Sequence, residues 1–313
     1  VQHLKQLSAS GVTHIELLPV FDLATVNEFS DKVADIQQPF SRLCEINSAV
    51  KSSEFAGYCD SGSTVEEVLT QLKQNDSKDN PQVQALNTLV AQTDSYNWGY
   101  DPFHYTVPEG SYATDPEGTA RIKEFRTMIQ AIKQDLGMNV IMDVVYNHTC
   151  ESGPEGPTIC WRGLDNLAYY RRTKDKVSRL YDTTGCGNTL DFTNTHVTTF
   201  AVDSLRYWAK RIGIDGFRFD LAATLARLDG EFTRYHPFLY ALRSDLLLGN
   251  LKMIMEPWDC GPNGWRTGQF GIPFAEWNDR FRDCTRTFWL TDVERARGGE
   301  TGDMTMQSMA TRL

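Results

Sequence analysis

The sequence has 313 residues, 41% hydrophobic and 23% charged, and a formal net charge of −10. Such a chain can bury a large core and exceeds the roughly 250 residues typical of an α/β barrel. Its acidic balance argues against nucleic-acid and membrane-surface partners, which attract basic patches, and no apolar run approaches the ~18 residues of a membrane span.

The opening residues, Val1-Gln2-His3-Leu4-Lys5, read as the middle of a helix rather than a signal peptide, and no initiator Met precedes them. A piece of a longer chain is expected. Leu4, Leu7 and Gly11 close that helix, and the β-formers of 12–20 predict a strand. Residues 22–97 are polar and too long for an ordinary connection, which predicts an insertion with helix-like stretches at 64–73 and 81–91. Trp98-Gly99-Tyr100-Asp101-Pro102 then leads into a Pro/Gly-rich loop.

Ile122, Phe125, Ile129, Ile132 and Leu136 recur at helical spacing, with Gly137 placed to end the helix. The apolar run 139–146 predicts a buried strand ending at Asn147-His148-Thr149, followed by a Gly- and Cys-rich excursion over 150–191. Asn194 is placed to cap a helix whose core face holds Val197, Phe200, Ala201, Leu205 and Trp208. Further strands are expected at 214–222, 251–255 and 274–277, with a helix at 237–248. The βαβαβαβ order argues for a parallel sheet with helices outside it.

Seven cysteines show no Cys-x-x-Cys spacing. Cys44 and Cys59 lie in a polar stretch and can bridge in an oxidising compartment; the other five are expected as reduced, buried thiols.

Three predicted strands end in carboxylate neighbourhoods: Asp143 with Asn147-His148, Arg218 with Asp220, and Glu256 with Trp258-Asp259. Along a strand Arg218 and Asp220 share a face, and in a parallel barrel the C-terminal strand ends converge on one mouth. Three charged sets are an odd way to build a merely stable core, because each buried charge carries a desolvation cost. Arg218 would serve as the counter-charge of Asp220, while Glu256, beside Pro257 and Trp258, would sit in a setting that favours its protonated form. That division suits cleavage of a glycosidic bond. Tyr100 and Trp258 suit the apolar face of a sugar, although most of the 7 Trp and 16 Phe are expected to be core packing. A metal site built from Asp143, His148 and Asp220 or Glu256 is the competing reading. The chain lacks the tight His cluster that would favour it.

Asp143-Val144-Val145-Tyr146-Asn147-His148, Gly216-Phe217-Arg218-Phe219-Asp220 and Glu256-Pro257-Trp258-Asp259 resemble three signature regions of the α-amylase superfamily of glycoside hydrolases. Val12 to Pro19 and Asn188-Thr189-Leu190-Asp191-Phe192 resemble two weaker ones. The resemblance implies an α/β fold, a (β/α)₈ TIM barrel, with 1–313 a partial catalytic barrel of about strands two to six. It also implies long insertions after strands two and three, the second (150–191) resembling a B domain. It implies a retaining hydrolase with Asp220 as nucleophile and Glu256 as general acid/base, and with Tyr100, Asp143, His148, Arg218 and Trp258 holding the sugar. The substrate implied is a branched α-glucan cut at α-1,6 linkages, with α-1,4-acting amylases and glucanotransferases, or a non-catalytic glucan-binding remnant, as alternatives. No certain cofactor is implied; calcium, which Asn147 helps bind in some relatives, is left open. Residues 1–149 resemble the secreted pullulanase type and residues 150–313 the isoamylase-like, glycogen-debranching type. A joined chain with its seam near 147–149, or a natural intermediate, is therefore expected, and the compartment follows whichever type prevails. The superfamily's last signature is a His-Asp pair, and no His in this sequence precedes an Asp. Very low activity is expected of these residues alone.

Overall fold

The structure, a computed structural model, describes residues 2–74 and 80–299. Five strands, His14–Leu17, Asn139–Val144, Gly216–Phe219, Lys252–Met255 and Ala275–Glu276, pair in chain order, and every neighbouring pair is parallel. Parallel neighbours need long crossovers. Here these contain the helices Ala120–Asp135, Thr195–Tyr207 and Pro237–Ser244. Val140, Met142, Val144, Phe217, Phe219, Met253 and Met255 share one core with Phe125, Ile129, Val197, Leu205, Trp208 and Phe238 from these helices and the turn that follows the second. Because side chains alternate along a strand, Asp143 and Arg218 are left for the opposite face, side by side in register.

Local signals act where expected. The Asn194 side chain accepts from His196 N at 2.9 Å, and Gly137 adopts φ +65° just beyond the Ala120–Asp135 helix. Strand ends differ from the sequence expectation. The predicted strand 139–146 leaves the ladder after Val144, and 214–222 shrinks to Gly216–Phe219. Of the residues released, Asn147 bonds to Asp220, His148 to the Tyr100 carbonyl, and Leu221 and Ala222 to Glu256. The expected loop after Pro102 is in fact a strand, Pro102–Pro108, antiparallel to Phe21–Leu23. Its prolines stand at the two ends, where a missing N–H is tolerated. The expected helix 237–248 breaks at Asp245, whose side chain accepts from Leu247 N and Leu248 N, both at 2.8 Å.

Within 34–74 and 80–90, Phe40, Leu43, Val50, Phe55, Val68, Leu86 and Val90, among others, form a separate core. Thr64 and Glu67 cap the Val65–Gln74 helix reciprocally, at 2.9 and 3.2 Å. Cys44 and Cys59 are joined by a disulfide that closes over this core. Of the five cysteines expected to be buried, Cys284 is; Cys150 and Cys160 are half-buried, and Cys186 and Cys260 are exposed. Cys186 lies between Gly185 and Gly187, and Gly261 follows Cys260.

The segments that follow the strands Gly216–Phe219 and Lys252–Met255 are tied to each other by a buried ion pair. Arg227 Nε and a terminal nitrogen reach the two oxygens of Asp259 at 2.6 and 2.7 Å, and both side chains are fully buried. Thr224 Oγ1 and Gly261 N complete the carboxylate at 3.1 and 2.9 Å. Asp259→Ala strands the guanidinium and should cost about 3–5 kcal/mol, measured as a fall in denaturant midpoint. A Cβ at Gly216 would meet Lys252 O at 2.6 Å. Gly216→Ala should therefore destabilise by about 1–3 kcal/mol through overpacking of the ladder, and an unchanged melting temperature would refute so close an approach.

Candidate active site

Arg218 is the centre of the charged face. One terminal nitrogen donates to both oxygens of Asp143, at 2.9 and 2.8 Å, and to Asp220 Oδ1 at 3.1 Å. The other lies 3.0 Å from Glu256 Oε1. The guanidinium is 2% exposed, and its flat side lies 3.9 Å from the Trp277 ring centroid. One cation thus faces three carboxylates from three strand ends.

Each carboxylate has further partners. Tyr100 Oη donates to Asp143 Oδ2 at 2.7 Å. Asn147 Nδ2 donates to Asp220 Oδ2 at 2.8 Å and to its backbone carbonyl at 3.0 Å. Leu221 N donates to Glu256 Oε2 at 2.6 Å, from a residue whose φ of +42° is unusual for a bulky side chain. His148 lies beside this set, with Nε2 2.7 Å from the Tyr100 carbonyl and Nδ1 2.5 Å from Asn147 Oδ1. Trp258 follows Glu256 and stacks on Trp265, centroids 5.0 Å apart and planes 13° from parallel. Trp265 is anchored through its indole N–H to Asp279 Oδ2 at 2.8 Å.

Burial dominates the electrostatics. It pushes Glu256 up to about 7, opposed by the charge of Arg218 and helped by that of Asp220. It likewise pushes Asp143 up to about 7 against the pull of Arg218 and Tyr100. His148 is lowered by burial, with the Tyr100 carbonyl and Asp220 acting the other way. Burial pulls Arg218 down too, but the attraction of Asp143, Glu256 and Asp220 outweighs it and the guanidinium stays charged. Near neutral pH the cluster therefore holds protons instead of carrying three full negative charges.

Asp143, Arg218, Asp220 and Glu256 stand together, with Tyr100 hydrogen-bonded to Asp143 and His148 one step further out, on Asn147 and the Tyr100 carbonyl. Asp259, grouped with Glu256 in the sequence, turns away to Arg227. Trp277 and Asn147 carry more of the site than their sequence context suggests. For Trp277 the only signal was its place at the end of a short predicted strand. Leu221 gave none. Asn147 Oδ1 faces His148 and Nδ2 faces Asp220. Among the described residues, the acidic trio close enough to share an ion is Asp22, Glu28 and Glu109. There the Arg121 guanidinium already binds Asp22 and Glu28, and Glu109 accepts from Leu23 N and Ser111 N.

The family model for the pullulanase Ins domain matches residues 23–96. A Klebsiella aerogenes pullulanase is 63% identical over 297 residues, 91% of this chain and 26% of that protein. A Cronobacter sakazakii glycogen debranching enzyme is 44% identical over 193 residues, 62% of this chain and 29% of that protein. The crystal structure of Klebsiella pneumoniae pullulanase complexed with maltotriose matches with a TM-score of 0.79 and 60% identity, covering 92% of this chain and 27% of that one. The first match is too long to lie on either side of 147–149, so pullulanase likeness continues through the expected seam and one relative accounts for both parts. No described helix is long and apolar enough to cross a membrane. Across 91% of its length the chain is a homologue of the pullulanases, and it spans about a quarter of theirs, 26%.

Proposed function

We propose that the chain carries the catalytic carboxylates of an α-1,6-glucan debranching hydrolase, and that its five parallel strands are strands two to six of a (β/α)₈ barrel. The observation that carries this reading is the sharing of one guanidinium by Asp220 and Glu256. Short separation favours double displacement; a single displacement needs room for water between the carboxylates. Asp220 attacks the anomeric carbon while protonated Glu256 gives its proton to the leaving oxygen. Glu256, now ionised, takes a proton from water, which attacks the same carbon and frees Asp220. Arg218 balances charge throughout. Asp143, Tyr100 and His148 hold the sugar, and the Trp258–Trp265 pair offers it a flat apolar surface. Support for a branched α-glucan as substrate comes from the homologues, one of which is seen with maltotriose.

Reducing-end release from pullulan and from linear amylose, measured on a full-length parent that contains these residues, separates the readings. Release from pullulan alone supports α-1,6 cleavage, and release from amylose points to an α-1,4-acting enzyme or glucanotransferase. Maltotriose binding with no release from either would reduce the chain to a glucan-binding protein. Asp220→Asn should lower kcat by about 10⁴-fold or more. Because Glu256 must be protonated to act as acid and is pushed up to about 7, kcat/KM should fall as pH rises through that value. A flat profile from pH 6 to 9 would exclude Glu256 from the role.

A further inference from the structure

Cys186 and Cys260 are exposed thiols that the proposed chemistry does not use, and they meet at the lip of the site. Both sulfurs approach one atom, the Thr184 carbonyl oxygen, at 3.9 and 3.5 Å. They therefore lie no further apart than the two distances combined. Cys260 N donates to Thr183 O at 2.9 Å, which binds the two loops together at this point. A Cβ on Gly185 would stand 3.5 Å from Cys260 Sγ, so this sulfur already leans over the residue before Cys186. Cys260 follows Glu256 by four residues, and both thiols feel the charge of Asp182 and Asp220.

We infer that Cys186 and Cys260 form a dithiol modification site, which a low-molecular-weight disulfide converts to a cross-link between the 182–189 loop and the segment bearing Glu256 and Trp258. One thiol loses its proton to solvent and attacks the small disulfide, forming a mixed disulfide and expelling one small thiolate. The second protein thiol then loses its proton and attacks the bonded sulfur, forming the Cys186–Cys260 bond and expelling the second small thiolate. The protein loses two electrons and two protons, and the small disulfide becomes two thiols. Burial and the neighbouring carboxylates push the Cys186 thiol up to about 11 and raise Cys260 as well. The reaction is slow at neutral pH and quickens as pH rises, because the thiolate is the nucleophile. The same environment gives the reduced pair no stabilised thiolate, which favours the bond once made. This site goes beyond the proposed hydrolase and does not depend on which linkage is cut.

The test is incubation of the chain with oxidised glutathione at pH 7 and pH 9, alkylation of remaining thiols, and unreduced peptide mapping by mass spectrometry. A peptide pair joined through Cys186 and Cys260, two hydrogens lighter than its reduced parts and forming at least tenfold faster at pH 9, is the expected result. In Cys260→Ser, Cys186 should instead retain glutathione. Glutathione or alkyl groups on both cysteines of the parent chain, with no joined pair at either pH, would overturn the inference whatever the outcome of the pullulan assay.

Discussion

A single guanidinium that must satisfy three carboxylates is the constraint on which the site depends. Burying Arg218 alone would be prohibitive, and burying Asp143, Asp220 and Glu256 without it equally so. Together they are tolerable because the guanidinium's donors are planar and fixed, so three strand ends can each present an oxygen to it. Trp277 closes the flat side that hydrogen bonds cannot serve. The charge still does not balance, and burial answers by keeping protons on Glu256 and Asp143 near neutral pH.

This geometry is a consequence of sheet register. Asp143 and Arg218 are direct neighbours in the parallel ladder, with Ile254 next in the row. The row holds only if the strands approach closely, which a bare Gly216 against Lys252 permits. Beyond Phe219 the chain has to leave the ladder so that Asp220 can face Arg218. Leu221 accepts a left-handed backbone there and turns its N–H onto Glu256. Strain in the backbone is thus spent where two carboxylates must be aimed.

Much of this was legible because buried strands advertise themselves. Apolar runs interrupted by Asp143 or Arg218 could be ordered along the chain, and period-two alternation put Arg218 and Asp220 on one face. Strand ends were not legible: whether Val145 or Leu221 stays in the ladder depends on hydrogen bonds to segments far away in sequence. The Pro102–Pro108 strand was hidden because prolines at its ends look like loop residues from inside a single window. Asp259 illustrates the opposite error. Its proximity to Glu256 in sequence suggested a shared role, but a partner 32 residues earlier, Arg227, claims both of its oxygens. Tyr100 was named as an aromatic suited to a sugar face, but nothing local to Trp98-Gly99-Tyr100 indicates that its hydroxyl meets Asp143.

The three carboxylates are not equivalent, and their surroundings distinguish the roles proposed for them. Asp143 is sealed, its side chain 2% exposed and its oxygens taken up by Arg218 and Tyr100. Such a group can orient Arg218 but offers no open face to a reacting carbon. Asp220 and Glu256 keep 13% and 11% of their side chains open, and each oxygen has a donor that leaves one flank free. Asp220 is held from two sides, by Arg218 and by Asn147, as a group that must attack along a fixed line would need to be. Glu256 hangs from a backbone N–H and the far end of the guanidinium, and burial favours its protonated form. A proton donor and a nucleophile can therefore be told apart within one cluster by what encloses each carboxylate, since the side-chain chemistry is the same in both.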